Sequence, residues 1–285
     1  MQEKVLSSKK NGMAMMILFI LLYAAAAGLT VIGSMFFLVP AMVIGIIWLS
    51  LGWIPFLGLR VLKPQEALVL TLFGKYVGTL KDDGFYWVNP FCTAVNPAAK
   101  TKLNQSGDVD GGAAAKSVLT LATGTTASSN STYVNKKISL KIMTLNNNRQ
   151  KINDCLGNPI EIGIAVMWRV TDTAKAVFNV DNYKEYLSLQ CDSALRNIVR
   201  IYPYDVAPNV DTTGDGVADE GSLRGSSEIV AGRIRDEIQQ KVAEAGLEII
   251  EARITYLAYA PEIAAVMLQR QQASAIIDAR KMIVD

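Results

Sequence analysis

Residues 159–171 read PIEIGIAVMWRVT. Ile160, Ile162, Ile164, Val166, Trp168 and Val170 alternate with Glu161, Gly163, Ala165, Met167, Arg169 and Thr171. A period of two places alternate residues on opposite faces of a strand, so one face here is continuously apolar and belongs in a buried sheet. The flanks decide what kind of sheet. Asp172 stands where an N-cap starts a short helix at Thr173. A longer helix follows from about Asn182, with Tyr183, Leu187, Ala194 and Ile198 on one face, and ends before Pro203. A third runs from about Ser227 to Ala245, with Ile234, Ile238 and Val242 as its apolar stripe and Gly246 at the stop position. LEIIEARITYLAYA (247–260) then reads as a strand feeding straight into Pro261. Upstream, EALVLTLFGKYVGTL (66–80) reads as short strands broken at Gly74, and GFYWVNPF (84–91) as an aromatic strand and turn. The body is therefore mixed α/β (α+β), with strands early and helices and strands interleaved later.

Ahead of that body lies a different material. No charged residue occurs between Lys10 and Arg60. One membrane span takes about 20 apolar residues, so the run holds two. The sequence places them near Met13–Ile32 and Phe36–Phe56, with Gly33 and Ser34 at the turn. Trp48, Trp53 and Phe56 fall where an aromatic belt meets the membrane interface. A signal peptide has a much shorter apolar core. Lys4, Lys9 and Lys10 precede the pair, and Arg60, Lys63 and Lys75 follow it, while the turn is bare. The positive-inside rule then keeps both ends in the cytoplasm. The competing arrangement, one tilted span with a re-entrant piece, puts the body on the other side.

Charge and composition exclude several classes. The formal net charge is +2, and the first ten residues alone carry it, leaving a neutral body. A nucleic-acid groove needs clustered Lys and Arg, so no nucleic-acid partner is expected. There is no histidine, which removes Ser-His-Asp and Cys-His catalysis and histidine-bound zinc. Cys92, Cys155 and Cys191 form no CxxC and read as reduced, mostly buried thiols. Ser139 and Lys141 share a strand face, but no oxyanion-hole pattern adjoins them, and no phosphate loop is present. No catalytic residue and no cofactor is expected.

The wording now becomes familiar. VLKPQEALVLTLFGKYVGTLKDDGFYWVNPF (61–91), INDCLGNPIEIGIAVMWRVTDTAKAVFNVDNY (152–183), SALR (193–196), YPYD (202–205), SLRG (222–225) and LAYAPEIAAVMLQRQQASAIIDARKMIVD (257–285) resemble the stomatin/prohibitin/flotillin (SPFH, band 7) family, closest to bacterial membrane-anchored members. The resemblance implies a non-enzymatic scaffold of the bacterial inner membrane, its domain facing the cytoplasm. Many copies would assemble side by side into a ring or cage on the bilayer, organising a membrane microdomain. It also implies regulation of membrane proteases or other membrane proteins. The alternative is a channel component or membrane-bound enzyme that uses the hairpin, and the lack of ionisable residues within the spans speaks against it. The expected plan is a cytoplasmic tail over 1–12, a transmembrane hairpin over 13–58, an SPFH/band 7 domain over 60–260, and the start of a long oligomerisation helix over 261–285.

Two stretches depart from the family wording. Residues 99–135 are rich in Gly, Ala, Ser and Thr with no apolar period and read as a flexible insertion. Residues 209–221 form a second, acidic insertion. Numbered as a calcium loop, Asp211, Thr213, Asp215, the Val217 carbonyl and Asp219 take ligand positions, with Gly216 at the sharp turn. Ser222 replaces the bidentate glutamate and Thr213 a carboxylate, so this is a weak calcium candidate. The last helix opens with Pro261 and Glu262, which suit a first turn. Ile263, Met267, Arg270, Ala273, Ala275, Ile277 and Arg280 then form a thin, coiled-coil-like seam of apolar, small and charged residues. Such a surface buries little in its own chain and is expected to pack against copies of itself in a wall that runs on past residue 285.

Overall fold

The computed structural model describes residues 3–6, 11–37, 39–101, 103, 135–205 and 221–284, with only some side chains beyond 269. The chain divides into two compact units. The first takes the chain up to Lys100 together with 135–141 and Val170–Asn182; the second takes Ile142–Arg169 and everything from Tyr183.

The first unit starts with two apolar helices, α1 (Gly12–Met35) and α2 (Val39–Leu51), followed by a 3-10 turn over Ile54–Gly58. The turn between the helices lies at Phe36–Phe37, not at Gly33 and Ser34 as the sequence reading had it. Gly33 is buried inside α1 because its bare Cα lets α2 approach: a Cβ there would lie 2.9 Å from the Met42 nitrogen. Helix packing of this kind rewards small residues at the seam rather than at the bend. The second apolar run is also not one helix, since α2 stops at Leu51 and the chain tightens into the 3-10 turn around Pro55.

From there β1 (Leu59–Leu62) pairs antiparallel with β4 (Gly84–Trp87), setting Leu59 opposite Trp87. β2 (Glu66–Leu72) and β3 (Lys75–Leu80) make the hairpin anticipated around Gly74, and β5 (Thr93–Ala94) and β6 (Ile138–Ser139) pair with β2. Leu62, Leu68, Leu70, Leu80, Tyr86 and Cys92 form the core of this unit. The short helix α3 (Thr173–Phe178) is capped as read: Asp172 accepts from the Lys175 N–H at 2.9 Å.

The second unit is built on β9 (Pro159–Val170). Ile160, Ile162, Ile164, Val166 and Trp168 are fully buried, as the alternation requires. β7 (Met143–Asn146) and β8 (Gln150–Asn153) pair in succession along one edge of β9, and β10 (Leu247–Tyr259) along the other. Two helices, α4 (Tyr183–Val199) and α5 (Ser227–Val242), bury Tyr183, Leu187, Ala194 and Ile198 and Ile234, Ile238 and Val242 respectively. A 3-10 turn over Ala243–Ala245 extends α5, and Gly246 closes it with φ 66, the left-handed conformation that ends a helix at low cost. Arg169 pairs with Glu248 at 2.7 Å while the Ala260 N–H reaches the Pro159 carbonyl, so β9 and β10 run antiparallel. The chain then enters α6 (Pro261–Val284) directly.

Candidate functional site

Most of the apolar surface of α1 and α2 faces outward. Leu21 is 62% exposed, Ile44 63%, Met35 74% and Phe37 90%, in a pair of helices with no charged residue. An apolar surface of that extent on a soluble monomer would be an association site; α1 and the apolar stretch Val39–Gly58, each long enough to span, give it a simpler setting, a bilayer. What is buried on α1 recurs every seventh residue: Gly12, Phe19, Ala26 and Gly33. The later half of that stripe meets α2 in antiparallel order, since Gly33 lies against Met42 and Ala26 and Thr30 against Gly45, while Gly12 lies against Phe85 of β4. The Tyr23 hydroxyl donates to the Leu49 carbonyl at 2.9 Å and the Thr30 hydroxyl to the Ala27 carbonyl at 2.7 Å, so both of these polar groups have acceptors.

The base of the helix pair is tied to the sheet of the same unit. The Phe19 ring packs edge-on against Phe56 at 5.5 Å and also meets Trp87 at 5.9 Å. Trp87 Nε1–H donates to the Pro55 carbonyl at 3.0 Å, and the Val88 N–H to the Gly58 carbonyl at 2.9 Å. Of the expected belt residues, Trp48 and Trp53 are exposed (42% and 55%), whereas Phe56 turns inward onto Phe19. Trp87 completes this aromatic cluster. Its place in the strand GFYW marked it as sheet, and nothing in its spacing linked it to the helices.

The segment before α1 is also docked. Val5 bridges in parallel to Thr79, with the Leu6 N–H on the Thr79 carbonyl and the Thr79 N–H on the Lys4 carbonyl, both at 2.9 Å. Leu6 packs on the core cluster. Glu3 meets the Lys81 ammonium at 2.6 Å and accepts from the Thr173 N–H at 3.2 Å and the Thr173 hydroxyl. Residues 3–6 are thus docked on the edge of β3 through a single bridge, and β3 itself follows both apolar helices in the chain. Sequence reading missed this, because four ordinary residues carry no periodicity.

Elsewhere the polar groups serve the fold. Asp154 is buried and accepts from the Leu156, Asn158 and Tyr204 N–H groups and from Asn158 Nδ2, which explains the wording NDCLGN as a turn built around one carboxylate. Ser139 Oγ accepts from the Lys141 N–H at 3.3 Å, so this hydroxyl is engaged by its own turn. Cys92 and Cys191 are buried and Cys155 is exposed, and all three are free thiols. Burial, helped by the charge of Asp192, pushes the Cys191 thiol up to about 12. Among the described residues no group of His, Cys, Asp or Glu could hold a metal ion. The calcium candidates Asp211, Thr213, Asp215, Val217 and Asp219 lie outside the described residues, as do 104–134, nearly all of the first insertion.

On α6, Ile263 and Met267 are half-buried, while Ala273 and Arg280 are exposed; the side chains of Arg270, Ala275 and Ile277 lie outside the described set. The helix also exposes Ile276 (55%), beside the expected seam, and Val266 (61%) and Leu268 (56%), which the sequence reading left off it. Val266 stands three residues after Ile263 and seven before Ala273, the spacing of one helix stripe, so helical periodicity alone would have found it. Lys151 reaches Glu262 in the first turn at 2.5 Å, fixing the start of the helix to the end of β8.

No curated protein matches the chain. The profile of the SPFH domain / Band 7 family matches residues 60–282, from the first residues of β1 almost to the end of α6. Such a match takes in the sheets and helices of both units from Arg60 on, α6 included, and leaves out the tail, the apolar helices and the 3-10 turn, a division that follows the change of material at Arg60. By sequence and by its mixed sheet-and-helix architecture, this chain belongs to the SPFH domain / Band 7 family.

Proposed function

We propose that the protein is a membrane-anchored scaffold subunit whose α1–α2 hairpin inserts in the bacterial inner membrane and returns the chain to the cytoplasmic face. Copies then associate side by side through α6 into a ring or cage that organises a membrane microdomain and restrains membrane proteases or other membrane proteins. Family membership supports the scaffold role. The observation that carries the hairpin topology is the pairing of residues 3–6 with β3: a tail hydrogen-bonded to a strand that follows both helices belongs on the same side of the bilayer as that strand. Lys4, Arg60, Lys63 and Lys75 then share one face, in keeping with a cytoplasmic location. The body over 60–260 positions the subunit, and the helix from Pro261 supplies the contact between neighbours.

Assembly through α6 rests on apolar residues that are exposed in a single copy, Val266, Leu268 and Ile276 among the described residues. Burying one such side chain is worth about 1.5–3 kcal/mol, too little for a strong pair. A closed ring repeats the contact, and the membrane raises the local concentration, so weak contacts suffice. The test is Val266→Glu with Ala273→Glu, two exposed positions on one stripe. The double variant is expected to elute as small particles in detergent, with the secondary structure of the body unchanged. A large particle of unaltered size in sizing and electron microscopy would remove α6 from the assembly.

A further inference from the structure

At the tip of the β2–β3 hairpin, Phe73 is 88% exposed and stacks on Phe91, itself 60% exposed, with ring centroids 6.4 Å apart. Phe73 and Gly74 form a two-residue turn between Leu72 and Lys75, and both have positive φ, 49° and 84°. That turn favours Asn-Gly or Asp-Gly, and a bulky side chain at positive φ is an outlier. Neither turn chemistry nor packing in the sheet calls for a phenylalanine there. Solvent exposure argues against one.

The topology shows which end of the first unit the pair occupies. β1 leaves the 3-10 turn at Leu59, next to the apolar helices, and β4 returns antiparallel to it, so that Trp87 stands opposite Leu59 and Val88 bonds back to Gly58. The chain therefore arrives at the helix end of the unit just before the turn that carries Phe91, closed by the Cys92 N–H on the Asn89 carbonyl. β5 leaves that turn antiparallel to β2, so β2 runs toward the same end and brings Phe73 there. Arg60, one residue beyond Leu59, has a buried Nε with no hydrogen-bond partner among the described residues, and Lys75 beside the tip is exposed.

We infer that the Phe73–Phe91 pair is a further membrane contact, seated in the interfacial layer of the same bilayer that holds the α1–α2 hairpin. Exposed aromatic rings flanked by cations suit that layer, where apolar faces reach the acyl boundary and Lys and Arg meet headgroup phosphates. The contact would hold the sheet of the first unit down on the membrane surface, so that the subunit is fixed in tilt as well as in place. The inference rests on the hairpin being in the membrane, and the test separates the two.

The full chain, in a Cys155→Ser background that leaves only the buried Cys92 and Cys191, is reconstituted into phosphatidylcholine–phosphatidylglycerol vesicles with a nitroxide at one introduced cysteine. Four sites are compared: Phe73→Cys, Phe91→Cys, Leu21→Cys in α1, and Asp82→Cys at the opposite end of the β1–β4 ribbon. Collision with oxygen, which partitions into lipid, and with a water-soluble nickel chelate gives the depth of each label. The expected result is oxygen-dominated collision at 21, 73 and 91, shallower at 73 and 91, and nickel-dominated collision at 82. Labels at 73 and 91 as open to nickel as that at 82, with 21 still in lipid, overturn the inference and leave the hairpin standing. Labels shielded from both reagents mean that protein covers the pair, and overturn it equally. A nickel-accessible label at 21 removes the membrane reading itself and this inference with it.

Discussion

Glu66 shows how single residues hold the first unit together. Burial alone would raise its carboxyl, but the Lys137 ammonium at 2.8 Å and the Lys63 N–H at 3.3 Å outweigh it and hold the group below the ordinary carboxylate value of 4.5. A carboxylate depressed on folding contributes stability above its unfolded value, and that contribution is lost as the pH falls through the lower folded value. The pair is partly exposed, so screening limits it to about 0.5 kcal/mol. Glu66→Gln is expected to lower the thermal midpoint by a degree or two at pH 7, and the difference from the parent should vanish in acid, where the parent carboxyl is also neutral. A difference that persists at pH 3 would mean that Glu66 acts through packing. Glu3 ties the tail down by contact, meeting Lys81 and Thr173 where solvent is largely excluded.

At the scale of elements, the seam between α1 and α2 is set by what is missing. A Cβ at Gly45 would fall 2.3 Å from the Thr30 methyl and 3.1 Å from the Ala26 carbonyl. Gly45→Leu is therefore expected to prise the helices apart, because close approach is what binds helices where lipid offers no hydrophobic gain. The measurement is crosslinking between cysteines placed at Ala26 and Ile46 in membranes: efficient in the parent, lost in Gly45→Leu. The sequence showed most of the elements and little of this seam. β9 was legible from strict alternation, α3 from Asp172, and the end of α5 from Gly246, since each is a local rule obeyed locally. The apolar run was legible as two spans, but Gly33 reads as a bend in the sequence, because glycine serves turns as well as close packing. The tail bridge was not legible at all: Val5 and Thr79 are far apart in the chain, and backbone pairing leaves no mark on side-chain pattern. Phe73 and Phe91 were likewise visible only as aromatic residues near a turn until the strand order brought them together.

For the whole molecule, the account turns on a chain that enters and leaves the bilayer on one face, with the tail stitched to the sheet beyond the second helix. Every later step depends on it, because a body on the far side from its own N terminus could not keep the Val5–Thr79 bridge. The direct measurement uses sealed membrane vesicles of one orientation and a membrane-impermeant maleimide in the Cys155→Ser background. Single cysteines are placed at Val5 in the tail, Asp82 in the body and Phe37 at the helix turn. The account predicts that the Val5 and Asp82 sites behave alike, both labelled in one vesicle orientation and both protected in the other, while the Phe37 site never follows them. Labelling of the Val5 and Asp82 sites from opposite faces would contradict it.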